Sequence, residues 1–60
     1  MREEYHIRDE SGALLILSAW NDVAALFDDD PTLHYVGAEL DKQRNVIVMK
    51  FICKGEVANA

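Results

Sequence analysis

The sequence predicts a two-layer α+β domain, in which a four-stranded antiparallel sheet packs one helix on one face. Three observations predict this class. Four segments rich in apolar and β-branched residues are separated by turn residues, a segment between the second and third has helical periodicity, and 60 residues suffice for only one domain. The predicted order is ββαββ in a single domain over 1–60, with a flexible tail from about residue 55.

The first two strands are predicted to form a hairpin. Tyr5 and Ile7 alternate with polar residues, as in a half-buried strand. The residues DESG at 9–12 place Asp first and Gly fourth, as a type I turn prefers. The second strand, over 13–17, is apolar throughout, which is typical of a strand covered on both faces. One long helix over 11–28 is the alternative, because Ala and Leu have high helix propensity.

The helix is predicted to follow Ser18, whose hydroxyl would serve as the N-cap. It should end near Asp28 or Asp29, since Pro31 disfavours helical geometry at the residue before it. Asp30 and Pro31 are predicted to open a turn. Apolar residues recur at i, i+3, i+4 and i+7 and form one stripe toward the sheet; they are Trp20, Val23, Ala24 and Phe27.

The third and fourth strands are predicted to form a second hairpin around DKQRN at 41–45. Alternation in the fourth strand places one set on the helix side and another on the opposite side; the helix-side set is Ile47, Met49, Phe51 and Cys53, and the other is Val46, Val48, Lys50, Ile52 and Lys54. In the third strand we expect Val36, Ala38 and Leu40 to oppose Leu33, Tyr35 and Glu39, with a bulge at Gly37.

The second and fourth strands are apolar on both faces, so they are predicted to lie in the middle of the sheet in the order 1-2-4-3. One helix covers only one face, and soluble monomers seldom leave a large apolar patch exposed. We therefore predict a twofold homodimer, packed sheet to sheet or edge to edge. The predicted interface residues on the open sheet face are Leu33, Tyr35, Val46, Val48 and Ile52.

The net charge of -5 is unevenly distributed, since residues 1–31 hold eight acidic and two basic side chains. An acidic half repels phosphate backbones, so nucleic acid is disfavoured as a general partner. Two alternatives depend on local charge. An acidic corner of Asp22, Asp28 and Asp29 would face a basic partner or imitate nucleic acid as an inhibitor. A basic patch would bind single-stranded nucleic acid weakly through Lys50 and Lys54; its residues are Lys42, Arg44, Lys50 and Lys54.

No catalytic, metal or cofactor site is predicted. Cys53 should pack inward as a small hydrophobe, and His6 and His34 have no acidic residue at a recognisable ligand or base spacing. The three aspartates at 28–30 lack the alternating oxygens and central glycine of a calcium loop. These features favour a protein that is not an enzyme.

The single cysteine fits a reducing compartment, and the apolar run over 13–20 is too short to cross a bilayer. We therefore expect a cytoplasmic interaction or regulatory module, with no membrane association. Its expected partner is a second copy of itself or another protein.

Overall fold

The computed structural model describes residues 1–53 as a four-stranded mixed sheet with one helix. The elements in chain order are β1 (Arg2–Asp9), β2 (Leu14–Leu17), α1 (Trp20–Asp29), β3 (Leu33–Asp41) and β4 (Val46–Cys53). The α+β class is confirmed, and the alternative of one long helix over 11–28 is wrong because β2 precedes α1. Lys54 and the predicted flexible tail lie outside the described residues.

The strands lie in the order β2-β1-β4-β3, so the predicted order 1-2-4-3 is wrong. β1 and β4 pair in parallel, whereas β2 with β1 and β3 with β4 are antiparallel, so the sheet is mixed and not purely antiparallel. Strand length gives the physical reason. β1 and β4 have 8 residues each and match along their whole length, whereas β2 has 4 and would leave half of β4 unpaired.

The first hairpin turn forms as predicted. The Gly12 N–H donates to the Asp9 carbonyl oxygen at 3.0 Å, and Gly12 has φ 91°, which glycine adopts without steric cost. The Asp9 carboxylate accepts from the N–H groups of Ser11 at 2.9 Å and Ala13 at 3.0 Å. Hydrogen bonds, chiefly from the Ser11 side chain and then from Ala13, hold the pKa of Asp9 below its ordinary value.

Both ends of α1 are defined by the backbone. The helix ends at Asp29, as predicted, and the Asp30 N–H donates to the Leu26 carbonyl oxygen at 2.7 Å. The turn at Asp30 is also confirmed, because the Leu33 N–H donates to the Asp30 carbonyl oxygen at 3.2 Å. The N-cap prediction is wrong by one residue: Ala19 has the extended backbone of an N-cap, and no side chain of residues 1–53 caps the helix.

The core lies between α1 and one face of the sheet. Val23 of the predicted apolar stripe is fully buried, whereas Trp20 of the same stripe is 50% exposed. Phe27, Met49 and Cys53 are partly buried and pack against the core. The buried residues of this cluster are Tyr5, Ile7, Val23, Leu33 and Phe51.

A β-bulge in β3 changes which side chains share a face. Tyr35 pairs with Phe51 and Gly37 pairs with Lys50, so Val36 is an extra residue. An inserted residue reverses the alternation beyond it, and the predicted faces of β3 are wrong for this reason. The helix-side set is Leu33, Tyr35, Ala38 and Leu40, and the opposite set includes His34, Glu39 and Asp41.

Candidate interaction surfaces

The sheet face opposite α1, called the open face below, carries a network of charged side chains. The Arg44 guanidinium donates to the Glu4 carboxylate with an Nη2 to Oε1 distance of 2.6 Å, and its Nε lies 3.2 Å from Oδ2 of Asp41. The His6 ring nitrogen Nε2 lies 2.7 Å from the same Glu4 oxygen. The hydrogen bond with His6, followed by the charge of Arg44, holds the pKa of Glu4 below its ordinary value.

The Arg44 side chain bridges three strands. Glu4 lies on β1 and Asp41 on β3, and β4 runs between them. Arg44 precedes Val46 by two residues, and the partners of Val46 in the neighbouring strands are Arg2 and Asp41. Long charged side chains can cover apolar surface with their methylene groups. Val46 is 0% exposed, although α1 lies on the other side of the sheet.

The predicted interface residues do not form one surface. Val46 and Val48 lie on the open face but are already buried within the chain, and Leu33 is buried under α1. Tyr35 is exposed on the helix side because of the bulge. Of the five predicted interface residues, only Ile52 is both exposed and on the open face. The prediction that all five form an apolar interface on that face is therefore corrected, because many of its side chains are polar.

The β2 strand holds the longest run of exposed large apolar residues in the described chain. Leu14, Leu15 and Ile16 are 46%, 46% and 52% exposed. Sequence reasoning placed this strand in the middle of the sheet because it is apolar on both faces, but it lies at the edge. Its four residues include no charge, proline or bulge, which are the usual devices that protect an edge strand from pairing with another chain.

The hydrogen-bonding phase of β2 shows which backbone groups point outward. The Asp9 N–H donates to the Ala13 carbonyl oxygen at 3.1 Å, and hydrogen-bonded pairs alternate with non-hydrogen-bonded pairs along an antiparallel ladder. Leu15 and Leu17 therefore bond to β1, whereas Leu14 and Ile16 direct their N–H and C=O groups away from it. Within residues 1–53, no strand pairs with that side of β2.

The opposite edge, β3, is protected. Its bulge at Val36 interrupts the regular spacing of outward backbone groups. In addition, the charged Glu39 of β3 forms an ion pair with Lys50 of the neighbouring β4. Charged residues and bulges both hinder pairing with another chain. The two edges therefore differ, and β2 is the one open to strand addition.

An aromatic cleft lies on the helix side, between α1 and β3. Its volume is about 470 Å³, and its lining comprises Glu3, Tyr5, Trp20, Phe27, Tyr35, Met49 and Phe51. Trp20 and Phe27 belong to the helix, and their ring centroids lie 6.5 and 5.8 Å from that of buried Phe51. Tyr35 forms the outer wall, with its centroid 5.5 Å from that of Phe51.

The cleft exists because the helix cannot cover the whole sheet. A helix is about 10 Å wide, whereas four strands spaced by about 4.8 Å span a wider layer. Trp20 is consequently 50% exposed and Tyr35 60% exposed. The sequence does not predict the cleft, because the alternation of residues in β3 does not reveal the bulge that places Tyr35 on the same face as Ala38 and Leu40.

The predicted charged sites are only partly assembled. Asp22 lies in the first turn of α1, whereas Asp28 and Asp29 lie in its last turn, roughly 9 to 10 Å away along the helix axis. They therefore do not form one corner. In the basic patch, Arg44 and Lys50 are each paired with carboxylates. Of its other members, Lys42 lies in the turn between β3 and β4, and Lys54 is outside the described residues.

Asp30 joins the end of α1 to the end of β4. Its carboxylate accepts a hydrogen bond from the Thr32 N–H at 3.0 Å, and further hydrogen bonds from the Thr32 hydroxyl and the Cys53 thiol. The bond from Cys53, followed by those from Thr32, holds the pKa of Asp30 below its ordinary value. Within residues 1–53, no three His, Cys, Asp or Glu side chains gather as metal ligands would.

The single helix of the described chain is too short to span a bilayer. Comparison of the chain with protein-family models, with curated proteins and with solved structures finds no match.

Proposed function

We propose that this protein is a small protein-interaction module that associates with a second copy of itself through the exposed edge of β2. The observation that carries the proposal is the uncharged, half-exposed edge strand, whose outward backbone groups at Leu14 and Ile16 pair with no strand within residues 1–53. Strand addition to such an edge provides main-chain hydrogen bonds and covers alternate side chains at once.

The strand is complementary to itself about a twofold axis. In an antiparallel pair centred on Leu15, Leu14 of each copy faces Ile16 of the other, and both lie on the open face. All outward N–H and C=O groups of these two residues are then hydrogen-bonded. The two Leu15 side chains meet on the helix side. The resulting eight-stranded sheet would put β2 in its middle, which suits a strand apolar on both faces.

Packing of the two open faces against each other has less support. The charged network of Arg44, Glu4 and His6 covers much of that face, and burying it against a second copy would require desolvation of these charges. The pairing of Arg44 and Lys50 with carboxylates likewise weakens the proposal that this face binds nucleic acid. The hypothesis of an acidic inhibitor also has less support, because its acidic residues lie at opposite ends of α1 and do not form one surface.

Disulfide formation tests the register of the proposed dimer. In a Cys53→Ser background, Leu15→Cys should cross-link two copies under mild oxidation, because non-hydrogen-bonded partners have Cα atoms about 4.5 Å apart, within the range of a disulfide. Ile16→Cys is the matched control and should cross-link poorly, since Ile16 faces Leu14 of the other copy. Equal cross-linking of the two variants would contradict this register.

Light scattering coupled to chromatography tests the dimer itself. A four-residue strand makes a small interface, so we expect the dimer fraction to rise from micromolar to millimolar concentration. Ile16→Lys should abolish this rise by charging the edge. Val36→Lys, on the opposite edge, should leave it unchanged. A strict monomer at millimolar concentration would refute the proposal.

A further inference from the structure

The aromatic cleft has the chemistry of a cation site. Its exposed rings, Trp20 and Tyr35, flank the buried ring of Phe51, and an aromatic face attracts a cation through its quadrupole. Among the described residues that line the cleft, Glu3 is the only charged one. No lysine or arginine of the described chain lines the cleft, so a positive ligand meets attraction from both the rings and the carboxylate.

The Glu3 carboxylate is held at one end of the cleft. The Tyr5 hydroxyl donates to its Oε1 at 2.6 Å, which fixes the carboxylate beside the Tyr5 ring. This hydrogen bond is also the main cause of the raised pKa of Tyr5. The net charge of -5 adds a long-range attraction for basic ligands.

We propose that the aromatic cleft binds an arginine side chain from an extended segment of a partner protein. A planar guanidinium stacks on aromatic faces and donates to a carboxylate at the same time, which a lysine ammonium does less well. The guanidinium lies between Trp20 and Tyr35 and donates to Glu3.

Two features make a peptide the occupant instead of a free small cation. The cleft is open to solvent along the space between α1 and β3, so a side chain can enter while its backbone stays outside. Exposed Leu40 lies on the same sheet face as Tyr35, and it offers apolar contact to a neighbouring residue of the bound segment.

The single tryptophan of the sequence is the reporter for the test, because it is Trp20. The full chain is titrated with a capped Gly-Leu-Ser-Arg-Ser-Leu-Gly peptide, with the same peptide carrying neutral citrulline, and with arginine amide, while Trp20 fluorescence is followed. We expect saturable binding of the arginine peptide and about tenfold weaker binding of the citrulline peptide. Arginine amide should also bind more weakly than the peptide.

Variants identify the site. Tyr35→Leu removes an exposed ring while keeping an apolar side chain, and Glu3→Gln removes the charge with little change of shape; each should weaken binding of the arginine peptide several-fold. Val36→Ala alters the adjacent residue of β3, away from the cleft, and should bind as the unmodified chain does. Circular dichroism checks that each variant is folded.

Three results would overturn the proposal. Equal binding of the arginine and citrulline peptides would show that charge is not recognised. Unchanged binding by both Tyr35→Leu and Glu3→Gln would place the peptide elsewhere. Binding of arginine amide as tight as that of the peptide would identify a small-cation site without a protein partner.

Discussion

The burial of Val46 within a single copy of the chain gives the most quantitative prediction. Val46 is 0% exposed, and Arg44 forms ion pairs with residues of both strands that flank β4. Val46→Ala deletes two methyl groups, which cost about 1.6 kcal/mol in lost burial, and the cavity raises the loss to about 2 to 3 kcal/mol. A domain of this length has roughly 3 to 9 kcal/mol of total stability, so the loss is a large fraction of it.

Val36→Ala is the matched control, because the same two methyl groups are removed from the same β-sheet. Val36 is 57% exposed, so less than half of the burial is lost and no cavity forms; we expect a cost of about 0.7 kcal/mol. The melting temperature should fall by about 8 to 24 °C for Val46→Ala and by no more than about 6 °C for Val36→Ala.

Urea unfolding followed by Trp20 fluorescence measures both losses, at two protein concentrations about a hundredfold apart. The loss for Val46→Ala should be the same at both concentrations, because the shielding is provided by the chain itself. A loss of unfolding free energy no larger for Val46→Ala than for Val36→Ala would show that Val46 is not shielded by its own chain. A loss for Val46→Ala that grows with concentration would equally refute this shielding, since a second copy would then be what covers Val46.

Three further substitutions test local features. Hydrogen bonds from Cys53 and Thr32 lower the pKa of Asp30, so the stability that its carboxylate contributes is present above the usual carboxylate pKa of about 3.9 and is lost as pH falls through the lower folded value. Asp30→Asn should therefore reduce the loss of folding stability that occurs below about pH 5. The same dependence of folding stability on pH in the variant and the unmodified chain would contradict this. Gly12→Ala should cost about 1 to 2 kcal/mol from its positive φ alone, because nothing lies within 4 Å of an added Cβ; a neutral effect in thermal unfolding would argue against this turn. Ala19→Ser should stabilise α1 by about 1 kcal/mol, by capping an N-terminus that lacks a side-chain cap, and a lower melting temperature would count against the assigned N-cap.

Local patterns in the sequence determined the elements. Alternation correctly assigned the faces of β4, since side chains in an uninterrupted strand have a period of two. The first hairpin turn and the end of α1 followed from Asp9, Gly12 and Pro31, because turn chemistry depends on adjacent residues. A bulge has no such local signature of its effect, so simple alternation assigns the wrong faces to β3 even though Gly37 marks the position of a bulge.

The order of the strands and the exposed surfaces were decided only by the tertiary structure. The length match of β1 with β4 placed a polar strand in the middle of the sheet and the apolar β2 at its edge. Glu4 and Arg44 are 40 residues apart in the chain, yet their ion pair lies on the face that the apolar pattern predicts to be bare. Sequence patterning tells how apolar each face of a strand is, but burial depends on which other segments pack beside it, and that is a property of the whole fold.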